Sequence, residues 1–275
     1  LKAYYNEFEP FAAAWLRELI KAGLIADGEV DERDIREVQP DDLKGFTQHH
    51  FFAGIGVWSY ALRAAGWPDD AGVWTGSCPC QSFSAAGKRL GFDDSRHLWP
   101  AWFSLIQECK PVVVFGEQVA SKNGLAWLDV VSADLEGTGY AVGAADLCAA
   151  GFGAPHIRQR LWFVADAKCK RTENQELGET EGAAISVQTE MGERRRLWSN
   201  AWERCNYVAC SDGLQRGFEP GTFPLAHGTP NRVGRLRGYG NALCAPVAEA
   251  FIRAYIEAQP NLFEKKAEQL ELRDK

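Results

Sequence analysis

Short apolar runs alternate with stretches of helical periodicity over most of the first 165 residues, and this alternation limits the fold more than any other feature. Residues 3–7, residues 48–53, Val73–Thr75 and Val112–Phe115 read as strands, the last β-branched and followed by Gly116-Glu117. An amphipathic helix with Phe11, Trp15, Leu19 and Ile20 on one face follows the first of them. Further helices are expected over Val57–Ala65, Trp99–Gln107 and Leu125–Leu135. Two more strands, Ala141–Cys148 and Leu161–Ala165, close the series. Strands separated by helices predict an α/β domain with a mostly parallel sheet, and the Gly/Pro-containing turn between the last two predicts an antiparallel hairpin at one edge. In such sheets ligands bind beyond the carboxyl ends of the strands, where Glu7, Gly54, Cys80 and Glu117 are all expected to fall.

The 275 residues allow one large domain with a small appendage, and 46% hydrophobic content against 24% charged is enough for a sizeable core. The densest apolar stretch, Val112–Phe115, is far shorter than a membrane span, and the N-terminus lacks a signal-peptide layout, so a cytoplasmic protein is expected. Eight cysteines, at 78, 80, 109, 148, 169, 205, 210 and 244, form no paired Cys-x-x-Cys set and no Cys/His zinc spacing. Thiols without a metal are therefore expected. The net charge of −7 argues weakly against a polyanionic partner, but its distribution is uneven. Residues 1–150 carry 12 Lys+Arg against 21 Asp+Glu, whereas residues 151–240 carry 13 against 10, with clusters at Arg194–Arg196 and Arg232–Arg237. One face could bind a polyanion, and two ordinary solvated surfaces explain the charge equally well.

From Lys168 to Leu225 the periodicity weakens and isolated aromatics (Trp198, Trp202, Tyr207, Phe218, Phe223) stand among Glu, Thr, Gly and Arg. The stretch is too long for an ordinary loop and reads as a small irregular subdomain. The chain then returns through residues 227–246 to a helix over Pro246–Ala258. The expected division is 1–167, 168–226 and 227–275, the first and last forming one domain.

Four segments carry chemistry. Phe52-Ala53-Gly54-Ile55-Gly56 follows a strand and opens a helix, where glycines let backbone approach a ligand at a helix N-terminus. The full dinucleotide fingerprint is absent because residue 59 is Ser, which argues against a nicotinamide enzyme. In Gly76-Ser-Cys-Pro-Cys-Gln-Ser-Phe-Ser84 two cysteines compete as nucleophile on a turn after a buried strand. Cys80 is favoured, because Pro79 stiffens its approach and the Gly-containing segment Ala85–Asp94 suits a mobile lid. A thiolate needs cations nearby, and His156-Ile-Arg158-Gln-Arg160 supplies them on the turn between the edge strands. Glu117 could be a partly buried acid with a raised pKa or, viewed singly, a helix N-cap.

Together these blocks resemble the motifs of the DNA cytosine-5 methyltransferase family. Phe52–Gly56 is similar to its cofactor-binding Phe-x-Gly-x-Gly, Pro79-Cys80-Gln81 to its nucleophile motif, and Asp94-Ser-Arg96 through Leu98 to the block that follows. Glu117-Gln118-Val119 stands where the family has Glu-Asn-Val, and Arg158-Gln-Arg160 matches its Arg-x-Arg, with His156 replacing Gln. Gly240-Asn241-Ala242 resembles the cofactor-contacting block near the C-terminus, and Val233–Gly238 a reduced form of the block before it. The Gln118 replacement is expected to alter the turn that holds Glu117.

The resemblance implies a Rossmann-like S-adenosylmethionine-dependent methyltransferase fold with a small target-recognition subdomain at 168–226. It implies methylation of C5 of cytosine in double-stranded DNA through a covalent bond from Cys80 to C6, with the base flipped out of the duplex. Glu117 would act at N3, Arg160 at O2, and Arg158 would support Cys80 or a phosphate. S-adenosylmethionine would be held by Glu7, Phe8, Asp34, Ile35, Phe52, Ala53, Gly54, Ile55, Gly56, Pro79, Leu98, Asn241 and Ala242, with no metal. A monomer in a restriction–modification setting is the expected context; RNA methylation and an inactive DNA-binding relative are the alternatives.

One departure concerns chain order. The family places a ribose-binding Glu and an adenine-binding Asp between the glycine motif and the Pro-Cys block, but only 23 residues separate Gly56 from Pro79. Asn6-Glu7, a helix and Asp34-Ile35 resemble that missing segment moved to the front, with residues 1–45 as a permuted cofactor-binding unit. The sheet's second and third strands would then be made first, and the glycine-motif strand would insert beside them. Deleting residues 1–40 is expected to abolish S-adenosylmethionine binding in a calorimetric titration; unchanged affinity would refute the permutation.

Overall fold

The computed structural model describes residues 2–79, 98–154, 156–168, 206–209, 215–218, 238, 240–259 and 262–263. In chain order they form β1 (Lys2–Asn6), α1 (Pro10–Lys21), β2 (Gly28–Asp31), β3 (Phe46–Phe51), α2 (Val57–Ala64), β4 (Val73–Gly76) and α3 (Trp99–Cys109). There follow β5 (Val113–Val119), α4 (Lys122–Gly137), β6 (Ala141–Cys148), β7 (Gln159–Asp166), β8 (Asn206–Ala209), β9 (Gln215–Phe218) and α5 (Ala245–Ala258). The Cys80 segment, including the expected lid and Asp94-Ser-Arg96, lies outside the described residues. So do Arg194–Arg196, Arg232–Arg237 and most of 168–226.

Seven strands form one sheet in the order β2-β1-β3-β4-β5-β7-β6. Pairing is parallel from β2 to β5 and antiparallel where β7 meets β5 and β6, the hairpin expected at the edge. Counted from β3, which leads into the glycine turn, the order becomes 3-2-1-4-5-7-6, and its first five places are those of a doubly wound sheet. The N-terminal segment thus fills the second and third places, as the permutation requires. The residues Gly28-Glu-Val-Asp31 carry no strand signal of their own; they form a short, polar edge strand held by pairing with β1.

Local chemistry explains most boundaries. The Glu9 carboxylate caps α1 by accepting the Ala12 N–H at 2.8 Å, and Pro10 occupies the first turn, where no N–H partner is needed. The expected stripe of Phe11, Trp15, Leu19 and Ile20 is only half-buried. Ala12, Ala13 and Leu16 are the buried face, because small side chains bring the helix close to the sheet. The third strand stops at Phe51, two residues early, since Phe52 takes a left-handed φ of 51°. In contrast, β5 continues through Glu117 to Val119 because its antiparallel partner keeps pairing after β4 has ended. Glu117 is therefore a strand residue and caps no helix.

Each face of the sheet carries its own core. On one, Phe51, Trp74 and Val114 pack with Trp99, Trp102 and Ile106 of α3 and Trp127 and Val131 of α4. On the other, Val73, Val113 and Phe115 pack with Trp58 and Leu62 of α2 and with Val247, Ile252 and Tyr255 of α5. Burying each such side chain contributes roughly 1.5–3 kcal/mol, so two covered faces suit the near-continuous apolar strands. In the 168–226 stretch β8 and β9 pair antiparallel as a separate two-stranded sheet.

Gly76 and Gly116 are register partners on β4 and β5, and large aromatic rings lie where their side chains would be. A Cβ at Gly116 would come within 2.1 Å of the Phe163 ring, and one at Gly76 within 2.5 Å of Trp102. Gly116→Ala is expected to destabilise the fold by about 3 kcal/mol, since neither the strand nor the packed ring has room to move. Urea denaturation measures this, and an unchanged midpoint would contradict the packing described.

Candidate active site

The carboxyl ends of β1, β3, β4 and β5 converge on one side of the sheet, where a doubly wound fold binds its ligands. After β3 the chain turns sharply. Phe52 sits in the left-handed region, a conformation that costs about 1 kcal/mol or more for a non-glycine residue. It is held by the Ala53 N–H donating to the Asn6 carbonyl at 3.0 Å and by edge-on packing against Trp102. Gly54 and Gly56 follow with φ of 57° and 78°. A side chain built on Gly54 would meet no atom of the described residues within 4 Å, so the need for glycine there is conformational. Gly56 is the N-cap of α2 without a side-chain cap.

Glu7, one residue beyond β1, reaches this turn. Its Oε2 accepts the Gly54 N–H at 2.6 Å and its Oε1 accepts the Glu9 N–H at 2.9 Å. Burial pushes the Glu7 carboxyl above its ordinary pKa, with the two backbone N–H bonds pulling the other way. Phe8 beside it is 68% exposed, an aromatic face without core packing. Ile55 faces the C-terminal segment: a Cβ on Gly238 would lie 3.4 Å from it. Ala53 is buried and packs with Leu16 and Ile25.

Asp34 and Ile35 each have partners within the protein. The Asp34 carboxylate accepts the Arg36 N–H at 3.0 Å and its Nε at 2.8 Å, and this pairing lowers its pKa. The Ile35 side chain is buried in the core of the α3 face. Leu98 precedes the first turn of α3 and packs against that same core.

The acid side of the site lies on β4 and β5. Cys78, the rival thiol, is buried in the core, and Pro79 after it is half-buried. Glu117 is 8% exposed, and its Oε1 lies 2.7 Å from Arg160 Nε. On the β5–β7 ladder Glu117 faces Trp162, so Arg160 is its diagonal neighbour on the same face. Burial raises the Glu117 pKa, opposed by the charges of Arg160 and Arg158 and by hydrogen bonds from Ser77 and Arg160.

Gln118 does not disturb a turn, since it continues β5. Its Nε2 donates to the Cys78 carbonyl at 3.1 Å, tying the strand to the loop two residues before Cys80. Arg158 points to the chain's C-terminal part: its Nη2 donates to the carbonyls of Gly240 at 3.2 Å and Ala242 at 2.8 Å. These bonds seat the exposed Asn241 between two anchored residues. His156 is exposed. Sequence reasoning missed Ser77, Trp58 and the tethering role of Gln118, because each depends on strand register.

Residues 62–206, more than half the chain, match the model of the C-5 cytosine-specific DNA methylase family. The chain is 38% identical over 90 residues to Type II methyltransferase M.HhaI of Haemophilus parahaemolyticus, covering 31% of this chain and 28% of that one. It is 32% identical over 107 residues to Type II methyltransferase M.AgeI of Thalassovita gelatinovora, covering 38% and 25%. The chain thus spans about a quarter of the length of these relatives. In fold it is similar to the Entamoeba histolytica methyltransferase EhMeth, with a TM-score of 0.52 at 12% identity over 95% of this chain and 89% of that one.

The Glu117 shift has a testable sign. A carboxyl whose pKa is raised on folding binds more protons in the native state than in the unfolded one. Its contribution to stability is full below the unfolded pKa and is lost as pH rises through the folded one. Glu117→Gln removes this loss, so the unfolding free energy of the variant relative to wild type should increase as pH rises from about 4 to 7. Paired denaturation curves across that range check it, and a difference that stays flat or falls would exclude a raised Glu117 pKa.

Proposed function

Because the chain belongs to the C-5 cytosine-specific DNA methylase family, we propose that it methylates C5 of cytosine in double-stranded DNA, with Cys80 as nucleophile and Glu117 as acid. The observation that carries this reading is the buried Glu117 carboxyl, paired with Arg160 and set beside the loop that leads into Cys80. A carboxyl with a raised pKa keeps its proton closer to neutrality and can deliver it to a ring nitrogen.

S-adenosylmethionine is the methyl donor that the family implies, and the residues at the glycine turn suit it. The space at Gly54, the Glu7 carboxylate with acceptor capacity left over, and the exposed Phe8 ring could hold, in that order, the methionine part, the ribose hydroxyls and the adenine. Gly56, Ile55, Ala53, Phe52, Pro79, Leu98, Asp34, Ile35, Asn241 and Ala242 complete the proposed cofactor set. Bound there, the donor supplies a methyl group on a positively charged sulfur, an electrophile for a carbon nucleophile.

The chain's own residues would prepare the base to react. A cytosine flipped from the duplex would enter between β4 and β5. The Cys80 thiolate adds to C6, while Glu117 protonates or hydrogen-bonds N3 so that the ring accepts the electron pair. Arg160, already aligned with Glu117, would bind O2. Arg158 holds the Gly240–Ala242 segment, and through it the proposed cofactor contacts, and would also support Cys80 or a phosphate. The 168–226 stretch, with its β8–β9 hairpin, is the proposed target-recognition region, set between catalytic segments 1–167 and 227–275. Among the described residues no helix is long and apolar enough to cross a membrane, and no His/Cys/Asp/Glu group could hold a metal ion.

Nucleoside mass spectrometry of DNA from expressing cells should show 5-methylcytosine. Purified protein should transfer tritium to duplex DNA, with tRNA as the comparison substrate. Cys80→Ala should form no covalent adduct with 5-fluorocytosine DNA. An adduct in that variant would defeat the nucleophile assignment, and methylation of tRNA alone would defeat the substrate.

A further inference from the structure

Ser77 stands one residue past β4 and three before Cys80. Gly76 and Gly116 are register partners in the parallel β4–β5 pair, so Ser77 lies abreast of Glu117 at the strand ends. Residues abreast in a ladder project to the same face. The preceding same-face residues, Val73 and Thr75 on β4 and Val113 and Phe115 on β5, face the α2 side. There the Trp58 Nε1 lies 3.1 Å from Ser77 Oγ.

That contact has only one direction. An indole N–H can donate but never accept, so Ser77 Oγ must be the acceptor. Its single hydroxyl proton is then free to point away from Trp58, on the face where Glu117 lies abreast of it. Trp58 has little freedom to release it. The indole is 2% exposed, stacks on Phe115 at 6.2 Å and 25°, and meets Trp162 edge-on at 5.5 Å. Rigid core rings therefore fix the serine oxygen, and the serine proton fixes one side of the carboxyl. Arg160 approaches from β7 and Arg158 contributes charge from the β6–β7 turn.

We propose that Ser77 is a positioning residue for Glu117: Trp58 orients its hydroxyl, which holds the carboxyl in place. This rests on the functional reading above only for its catalytic consequence, since the hydrogen-bond relay can be measured without turnover. A proton must pass between Glu117 and N3, and a donor that favours the carboxylate prevents burial from locking the acid in its neutral state. Ser77 thus balances the low-polarity setting that Trp58 and its neighbours create.

The test uses the full chain with 13C-labelled glutamate carboxyls, with Glu117→Gln identifying the Glu117 signal. Ser77→Ala and Ser77→Gly both remove the hydroxyl, and Ser77→Thr retains it. In both hydroxyl-free variants the Glu117 titration should move upward by on the order of one pH unit, the scale for losing one charge-assisted bond. Ser77→Thr should return it to the wild-type position. The alkaline limb of kcat against pH on duplex DNA should move in the same direction, with KM for DNA unchanged. A Glu117 titration unaltered in Ser77→Ala and Ser77→Gly overturns the proposal. A wild-type enzyme that methylates no cytosine defeats the functional reading instead, and the carboxyl titration still decides the role of Ser77.

Discussion

The strand β5 has a parallel neighbour on one side and an antiparallel neighbour on the other, and the two ladders end at different points. The parallel ladder with β4 ends at the Gly76–Gly116 pair, whereas the antiparallel ladder with β7 continues to Val119 and Arg160. Glu117 is therefore held in a ladder from the β7 side, one residue past the end of the ladder with β4. A carboxyl so deeply buried would cost several kcal/mol to ionise alone, and the diagonal Arg160 reduces that cost. The same geometry brings Ser77 to the carboxyl and Gln118 to the Cys78 carbonyl. Carboxyl, cation and the chain at Cys78 are thus positioned by one strand with two kinds of partner.

The glycine turn, the proposed cofactor side, depends on an equally local constraint. β1 lies between β2 and β3, and the Asn6 carbonyl and Glu7 carboxylate together take the Ala53 and Gly54 N–H groups of the glycine turn. These contacts need adjacent strands and are indifferent to which strand is made first. Moving the segment to the front of the chain therefore leaves the pocket's neighbours in place. Near the other end of the chain Arg158 performs a similar service, fastening Gly240 and Ala242 beside a turn that is distant in sequence.

Legibility followed the range of the interactions. Alternation of strands and helices was readable because side-chain periodicity is local, and so was the left-handed glycine turn after β3. The strand Gly28–Asp31 was visible only through the need for a permuted third strand, because an edge strand can be polar and still be held by its neighbour's backbone. The buried face of α1 fell on Ala12, Ala13 and Leu16, whereas large residues had suggested another stripe, since close approach to a sheet favours small side chains. The Arg36 partner of the Asp34 carboxylate, two residues away, was not readable either, since that contact depends on the turn the chain adopts there.

The residues of the sequence by themselves determined the fold class, the permuted order of its parts and the types of group at the proposed site: carboxyls, a Pro-Cys pair, two arginines and glycines. Those follow from local pattern and covalent chemistry. Only the tertiary structure decided which carboxyl is buried, which arginine meets it and which holds the backbone of the C-terminal segment. It also decided that a serine and a tryptophan far apart in the chain form one hydrogen-bonded relay. Register between strands sets these choices, and register is fixed by packing on both faces of the sheet at once.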